Sequence, residues 1–272
     1  MIYTVLGASG FIGAKIAQKL KLEGHDVITP VRSRNSKEYL DQIIDINLGN
    51  VIYAVGLTAD FREKPFDTVE AHICLIKDIL KYANFSNLVY LSSTRVYQKN
   101  KSTIETDRIS VDVCDPSDLY NLSKLMGESL VLNTVNNSCV VRLSNVYGDD
   151  FDSNNFLNQI LQQATNEGKV EFHSSPSSSK DYISIDDVVE RIIQVVTRGK
   201  ERVYNIGCGM NTSNQQLAEE LKKCGIPSFF NKTAKEWIFP DLDVSKSLEE
   251  FGTVKNNISK DFESLLTLYK NI

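Results

Sequence analysis

The chain has 272 residues, of which 42% are hydrophobic and 24% charged, with a formal net charge of -5. That length holds one large core or a domain with a smaller appendage, and a mildly acidic surface draws neither nucleic acid nor an anionic membrane. No apolar run approaches the roughly 18–20 residues of a membrane span, and the first residues already read as strand, so a cytoplasmic protein is expected. Cys74, Cys114, Cys139, Cys208 and Cys224 are odd in number, scattered and free of any C-x-x-C pair, which reads as reduced thiols. His25, His72 and His173 do not cluster with them in sequence, so no metal site is expected.

Tyr3 to Leu6 is a short β-rich run that stops at Gly7-Ala8-Ser9-Gly10-Phe11-Ile12-Gly13. Apolar residues then recur at Phe11, Ile12, Ile16, Ala17 and Leu20, which makes the whole a strand, a tight glycine loop and a helix. Such a loop lets a pyrophosphate approach bare backbone, while the helix start offers free N–H groups and a positive dipole end. The candidate cofactor contacts are therefore Gly7, Ser9, Gly10, Phe11, Ile12 and Gly13.

Farther along, Asp26 to Val31 reads as a second strand, tolerating Pro30 only at an edge or end. The segment 37–49 fits either a short helix or a third strand. Residues 50–56 form a clearer strand. Phe66, Val69, Ile73, Ile76, Leu80 and Ala83 then recur every three or four residues, as on one face of a long helix begun near Pro65. Asn87 to Leu91 is a strand running into Ser92-Ser93-Thr94-Arg95-Val96-Tyr97. A polar loop leads to Asp118, a plausible N-cap for a helix through Leu132. Ser138 to Leu143 is another strand. This alternation predicts an α/β fold with a doubly wound parallel sheet. Beyond Gly148 the rhythm loosens: helix 156–165, a serine-rich loop, strand 182–185, a helix capped by Asp186-Asp187, strand 203–206, a helix capped by Ser213, and a terminal helix 258–269. Residues 1–148 are thus assigned to a dinucleotide-binding domain, and 149–272 mainly to a smaller mixed α/β lobe that crosses back to the first.

Tyr120 and Lys124 stand four residues apart, so the phenol and the ammonium share a helix face. A phenol titrates near ~10, and acid/base work at neutral pH needs a shift of roughly three units, about 4 kcal/mol. One positive charge at about 4 Å supplies about 4 kcal/mol at an effective dielectric near 20. Lys124 is expected to provide much of that shift.

Together, Gly7, Gly10 and Gly13, the Ser93 cluster and Tyr120-x-x-x-Lys124 resemble the extended short-chain dehydrogenase/reductase family of nucleotide-sugar epimerases, dehydratases and reductases. Arg142 to Gly148 resembles its R-x-x-N-V-Y-G stretch, Lys180 to Asp187 its R-D-[FY]-I-H-V-D-D segment, and Val203 to Gly207 its V-Y-N-V-G. The resemblance implies a Rossmann-type sheet with a substrate lobe. It makes Tyr120 the general acid/base, Lys124 the holder of the nicotinamide ribose, and Ser93 a hydrogen-bond partner of the reacting oxygen. Thr94, Asn145 and Lys180 would meet the nucleotide-sugar substrate, and two long helices would build a homodimer.

Departures from the family pattern narrow the expectation. Its 4,6-dehydratases carry Asp-Glu after the catalytic Ser/Thr, where this chain has Thr94 and Arg95, so dehydration is not expected. Lys180 replaces the diphosphate-binding arginine, a point charge in place of a fork. The second strand ends in Val31-Arg32-Ser33-Arg34 without an acid, so Arg32, with Arg34, would meet a 2′-phosphate. The expected activity is NADPH-dependent reduction of a nucleotide-linked 4-keto-6-deoxyhexose. A 4-epimerase with NAD stays open as the alternative, and a non-catalytic cofactor-binding protein as a third.

Overall fold

A computed structural model describes residues 1–272 except Arg32, Arg34, Asn35, 58–60 and 271–272. In chain order the first half comprises β1 (Ile2–Leu6), α1 (Phe11–Leu22), β2 (Asp26–Ile28), α2 (Ser36–Asp41), β3 (Asn50–Tyr53), α3 (Pro65–Val69), a π-helical turn (Glu70–Cys74) and α4 (Leu75–Tyr82). Next come β4 (Asn87–Ser93), a 3-10 turn (Thr94–Tyr97), α5 (Asp118–Thr134), β5 (Ser138–Leu143) and β6 (Asn145–Tyr147). The rest is α6 (Phe156–Glu167), β7 (Val170–Ser174), β8 (Ser179–Ser184), α7 (Ile185–Arg198), β9 (Val203–Ile206), β10 (Asn211–Ser213), α8 (Asn214–Lys223), β11 (Ser228–Lys235), α9 (Ser245–Phe251) and α10 (Ile258–Lys270).

Six strands form a parallel sheet in the order β2-β1-β3-β4-β5-β9. The order reverses between β1 and β3, and in open α/β sheets such a switch point is where ligands bind, beyond the strands' carboxyl ends. Alternation along the strands fills both faces. Tyr3, Val5, Val89 and Leu91 pack with Ile16 and Leu20 of α1 and Val188 and Ile192 of α7. Leu6, Val51, Tyr53, Leu88 and Tyr90 turn the other way, onto Leu75, Ile76 and Ile79 of α4 and Val131 of α5. A separate core built on α6, α8 and α10 includes Leu161, Phe172, Leu217 and Phe262. Two small sheets, β10-β8-β6 and β11-β7, belong to the second half, while β9 returns to the large sheet.

Three local readings change. Segment 37–49 holds α2 and turns, so the large sheet ends at β2. The caps move upstream: Ser117, not Asp118, occupies the N-cap position of α5, and the Ser184 hydroxyl, not Asp186 or Asp187, accepts the Asp187 N–H at the start of α7. The buried face of the α3–α4 stretch is also different. Thr68, Ala71, His72, Leu75, Ile76 and Ile79 are buried, whereas Phe66 is 87% exposed. The cause is the π-helical turn, whose wider winding offsets α3 against α4. Carbonyls loosened there are bonded from the sheet, as the Tyr53 hydroxyl donates to Ala71 O and the Tyr90 hydroxyl to His72 O. Gly127 lets α5 close on the same turn, since a Cβ there would lie 2.3 Å from the Tyr90 hydroxyl and 2.6 Å from His72 O.

Candidate functional site

The glycine loop sits at the sheet's switch point. Gly7 has φ of 89°, and a Cβ on it would lie 2.7 Å from the Ala54 carbonyl carbon at the end of β3. A Cβ on Gly13 would come within 2.3 Å of Gly7 O, so α1 leans directly on the loop. Gly10 is the N-cap residue of α1, no side chain caps that end, and its first turn carries no acid. The first-turn N–H groups and the positive dipole end are thus presented to an anion, and the loop fits a dinucleotide's pyrophosphate. Because the clash at Gly13 is with backbone, Gly13→Ala is expected to cost about 1–3 kcal/mol as an overpacked site. A fall in the denaturant midpoint together with weaker dinucleotide binding checks this.

Three candidate catalytic side chains gather at the carboxyl end of β4. Ser93 is its last residue, and its Oγ accepts the Arg95 N–H at 3.2 Å, capping the 3-10 turn. Tyr120, buried on α5, has its hydroxyl pulled down by a hydrogen bond to Ser93 and by Arg95, but burial outweighs both and leaves it above the usual phenol value. Lys124, one turn on, donates from Nζ to Leu91 O at 2.9 Å and lies 5.2 Å from the centre of the Tyr90 ring. Burial pushes its pKa down to about 7, with Glu128 opposing. The sequence made Lys124 the charge that lowers the tyrosine's pKa. Here the ammonium is turned to a backbone carbonyl, and the cation acting on Tyr120 is Arg95, whose Cζ stands 5.9 Å from the ring centre.

His72 joins the cluster without having been singled out beforehand. The π-helical turn carries it in edge-on to Tyr120, ring centres 5.3 Å apart. Its Nδ1 lies 2.8 Å from Ser123 Oγ, and its Nε2 accepts the Leu57 N–H at 3.3 Å. With Nε2 accepting, the proton belongs on Nδ1. Burial and the neighbouring Lys124 push its pKa down to about 2, so the imidazole is neutral in the fold. An unfolded histidine takes a proton near ~6.5. Stability held by neutral His72 is therefore complete above that pH and lost as the pH falls below it, by up to about 1.4 kcal/mol per pH unit for one proton. Denaturant midpoints from pH 7 down to 4.5 are expected to fall more steeply for the wild type than for His72→Gln. Parallel curves would remove His72 as the source.

Beside this cluster opens a cleft of about 630 Å³ lined by Arg62, Arg95, Lys180, Phe156, Trp237 and Phe239 among others. Lys180 Nζ stands 4.5 Å from the centre of the Phe156 ring, and burial together with Arg95 pushes its pKa down to about 8. Thr94 and Asn145 line a smaller adjoining recess with Tyr97 and Asp181. Asn145 Nδ2 donates to Asp181 O at 2.9 Å, and the Asp181 carboxylate accepts the N–H groups of Cys208, Gly209 and Met210, fixing the turn after β9. The structure thus brings Ser93, Tyr120 and Lys124 together and sets Thr94, Asn145 and Lys180 along the adjoining hollows. Arg32 and Arg34 lie outside the described residues. Among the described residues no cluster suited to a metal ion occurs, and no helix is long and apolar enough to cross a membrane.

The glycine loop at a parallel switch point and the Ser-Tyr-Lys cluster beside it define a nicotinamide-dinucleotide-binding fold of the extended short-chain dehydrogenase/reductase type. Residues 3–207 match the NAD dependent epimerase/dehydratase family, and the chain belongs to that family. A dTDP-D-glucose 4,6-dehydratase of Dictyostelium discoideum is 23% identical over 52% of this chain but only 36% of its own length. A dTDP-6-deoxy-L-talose 4-dehydrogenase (NAD(P)(+)) of Kitasatospora kifunensis is 23% identical, covering 91% of this chain and 89% of that protein. Among solved structures, MoeE5 in complex with UDP-glucose and NAD superposes with a TM-score of 0.81 at 17% identity, over 100% of this chain and 99% of the other.

Proposed function

We propose that this protein reduces the ketone of a nucleotide-linked keto-hexose with NADPH. The observation that carries the reading is the position of Arg95, which lines the large cleft and stands over Tyr120, so that a sugar in the cleft meets the phenol. Tyr120 delivers the proton to the ketone oxygen, and Ser93 hydrogen-bonds the same oxygen and steadies its developing charge. Lys124 holds the nicotinamide ribose. The dinucleotide, when bound on Gly7, Ser9, Gly10, Phe11, Ile12 and Gly13, supplies the hydride. Arg32, with Arg34, takes the 2′-phosphate, a reading that rests on the absence of an acid after β2 and on the NAD(P)(+) in the name of the talose dehydrogenase relative. Lys180 neutralises the diphosphate, with Thr94 and Asn145 against the sugar. Residues 149–272 serve mainly as the substrate lobe.

Incubating the protein with NADPH or NADH and a panel of UDP-, dTDP-, CDP- and GDP-linked keto-sugars tests the proposal. Net loss of absorbance at the nicotinamide band with NADPH is the expected result. Interconversion of two sugars with no net change would establish instead the epimerase reading, which the family description and the NAD of the MoeE5 complex favour. A homodimer through α3, α4 and α5 accompanies the reading, since Phe66 and Met126 are apolar side chains left 87% and 52% exposed on these helices. Phe66→Asp should then yield a monomer in light scattering.

A further inference from the structure

We propose that Arg95 binds a carboxylate carried by the substrate's hexose, so that the substrate is a nucleotide-linked sugar acid. This rests on the nucleotide-sugar reading above and replaces the 6-deoxyhexose expected from the sequence. Arg95 is held by the turn that begins at Ser93, with its guanidinium 5.9 Å from the centre of the Tyr120 ring and 5.2 Å from that of Phe61. Its Nε is buried and has no hydrogen-bond partner, and its Nη2 makes one long contact, 3.4 Å to Ser117 O. Burial and the neighbouring Arg62 both work against its charge, while Tyr120, Asp118 and Asp115 favour it, the two carboxylates being themselves paired with Lys99. A buried donor of this kind is costly unless something accepts from it, and a guanidinium edge is shaped for a carboxylate.

Arg62, Arg95 and Lys180 all line the cleft, and none is ion-paired among the described residues. Glu167 and Glu171 line it as well, so it is the place of Arg95 over Tyr120, and not the net charge of the cleft, that assigns it to the sugar. The cation at Tyr120 faces the sugar, because the phenol must reach the oxygen on the reacting carbon and the diphosphate leaves the ring from its anomeric side.

Calorimetric titration of three pairs tests this: UDP-glucuronate against UDP-glucose, UDP-galacturonate against UDP-galactose, and GDP-mannuronate against GDP-mannose. In any pair that binds, the acid is expected to bind at least about tenfold tighter, the strength of one added charge-assisted hydrogen bond. Arg95→Met should bring that ratio to about 1, and Arg95→Lys, which keeps the charge without the fork, should leave it in between. Equal binding of acid and neutral sugar to the wild type, or a preference that survives Arg95→Met, overturns the inference and leaves the nucleotide-sugar reading standing. Binding of NADPH with no binding in any pair, and with none of the UDP-, dTDP-, CDP- or GDP-linked keto-sugars of the panel above bound, overturns both.

Discussion

Tyr120→Phe is expected to lower kcat by about 10²- to 10⁴-fold, the usual contribution of a positioned general acid. The phenol is the acidic group of the Ser93 cluster, buried against the rings of Phe61 and His72, which lie 5.4 and 5.3 Å from its own. Phenylalanine keeps those ring contacts and removes only the hydroxyl, so the fold and dinucleotide binding should hold. The reading predicts a loss in kcat with little change in the dinucleotide's Kd, measured by stopped-flow hydride transfer and by titration. Activity within tenfold of wild type would take the proton-donor role from Tyr120. Ser93→Ala should be milder, since Ser93 then contributes one hydrogen bond to the reacting oxygen.

The largest effect on stability is expected at Glu128. Its carboxylate accepts from Arg142 Nη2 at 2.6 Å and from Arg142 Nε at 3.0 and 3.2 Å, and the Ser92 hydroxyl donates to it as well. Arg142 also donates to the Tyr97 hydroxyl and to Glu105 O, so α5, β4, β5 and the 3-10 turn meet at one buried pair. Glu128→Ala leaves a guanidinium buried without its counter-charge, a change that costs about 3–5 kcal/mol. Against a total stability of about 5–15 kcal/mol, much of the folded population would be lost. Chemical denaturation measures it, and the double variant Glu128→Leu/Arg142→Met should recover part of the loss, because replacing a whole buried pair is far less costly than halving it. A single variant within about 1 kcal/mol of wild type would mean that water reaches the pair.

The sequence carried the parallel sheet because alternation, glycine punctuation and helix periods agree across residues 1–148, and local consistency of that kind is what patterns report. Ser93, Tyr120 and Lys124 were legible for a different reason, since a fixed spacing on one helix and a strand end mark them. His72 was not. It lies on a helix whose apolar repeat reads as straight α, and only the π-helical turn swings it under Tyr120. Nothing in the spacing from 66 to 83 marks that turn, whose support comes from Tyr53 and Tyr90 on other strands. Arg95 was visible as a departure from the dehydratase pattern, but its burial beside Arg62 and Lys180 depends on how the second half folds over the sheet. Lys124 lies on the helix face that its spacing from Tyr120 predicts, and its Nζ is turned to Leu91 O, because spacing fixes a direction and cannot foresee a backbone carbonyl.

The π-helical turn at Glu70–Cys74 makes this stretch sensitive to chain length as well as to side-chain chemistry. Such a turn holds one residue more than the α-helix it interrupts, and each residue of an α-helix rotates the chain by about 100°. Losing one codon from this stretch, as in deletion of Ile73, would straighten the helix and rotate α3 against α4. Phe66 would then turn toward the core and the His72 ring away from Tyr120. The deletion is therefore expected to damage the candidate site more than replacing Ile73 by alanine does, a difference that kcat and the denaturant midpoint of the two variants, measured side by side, would register.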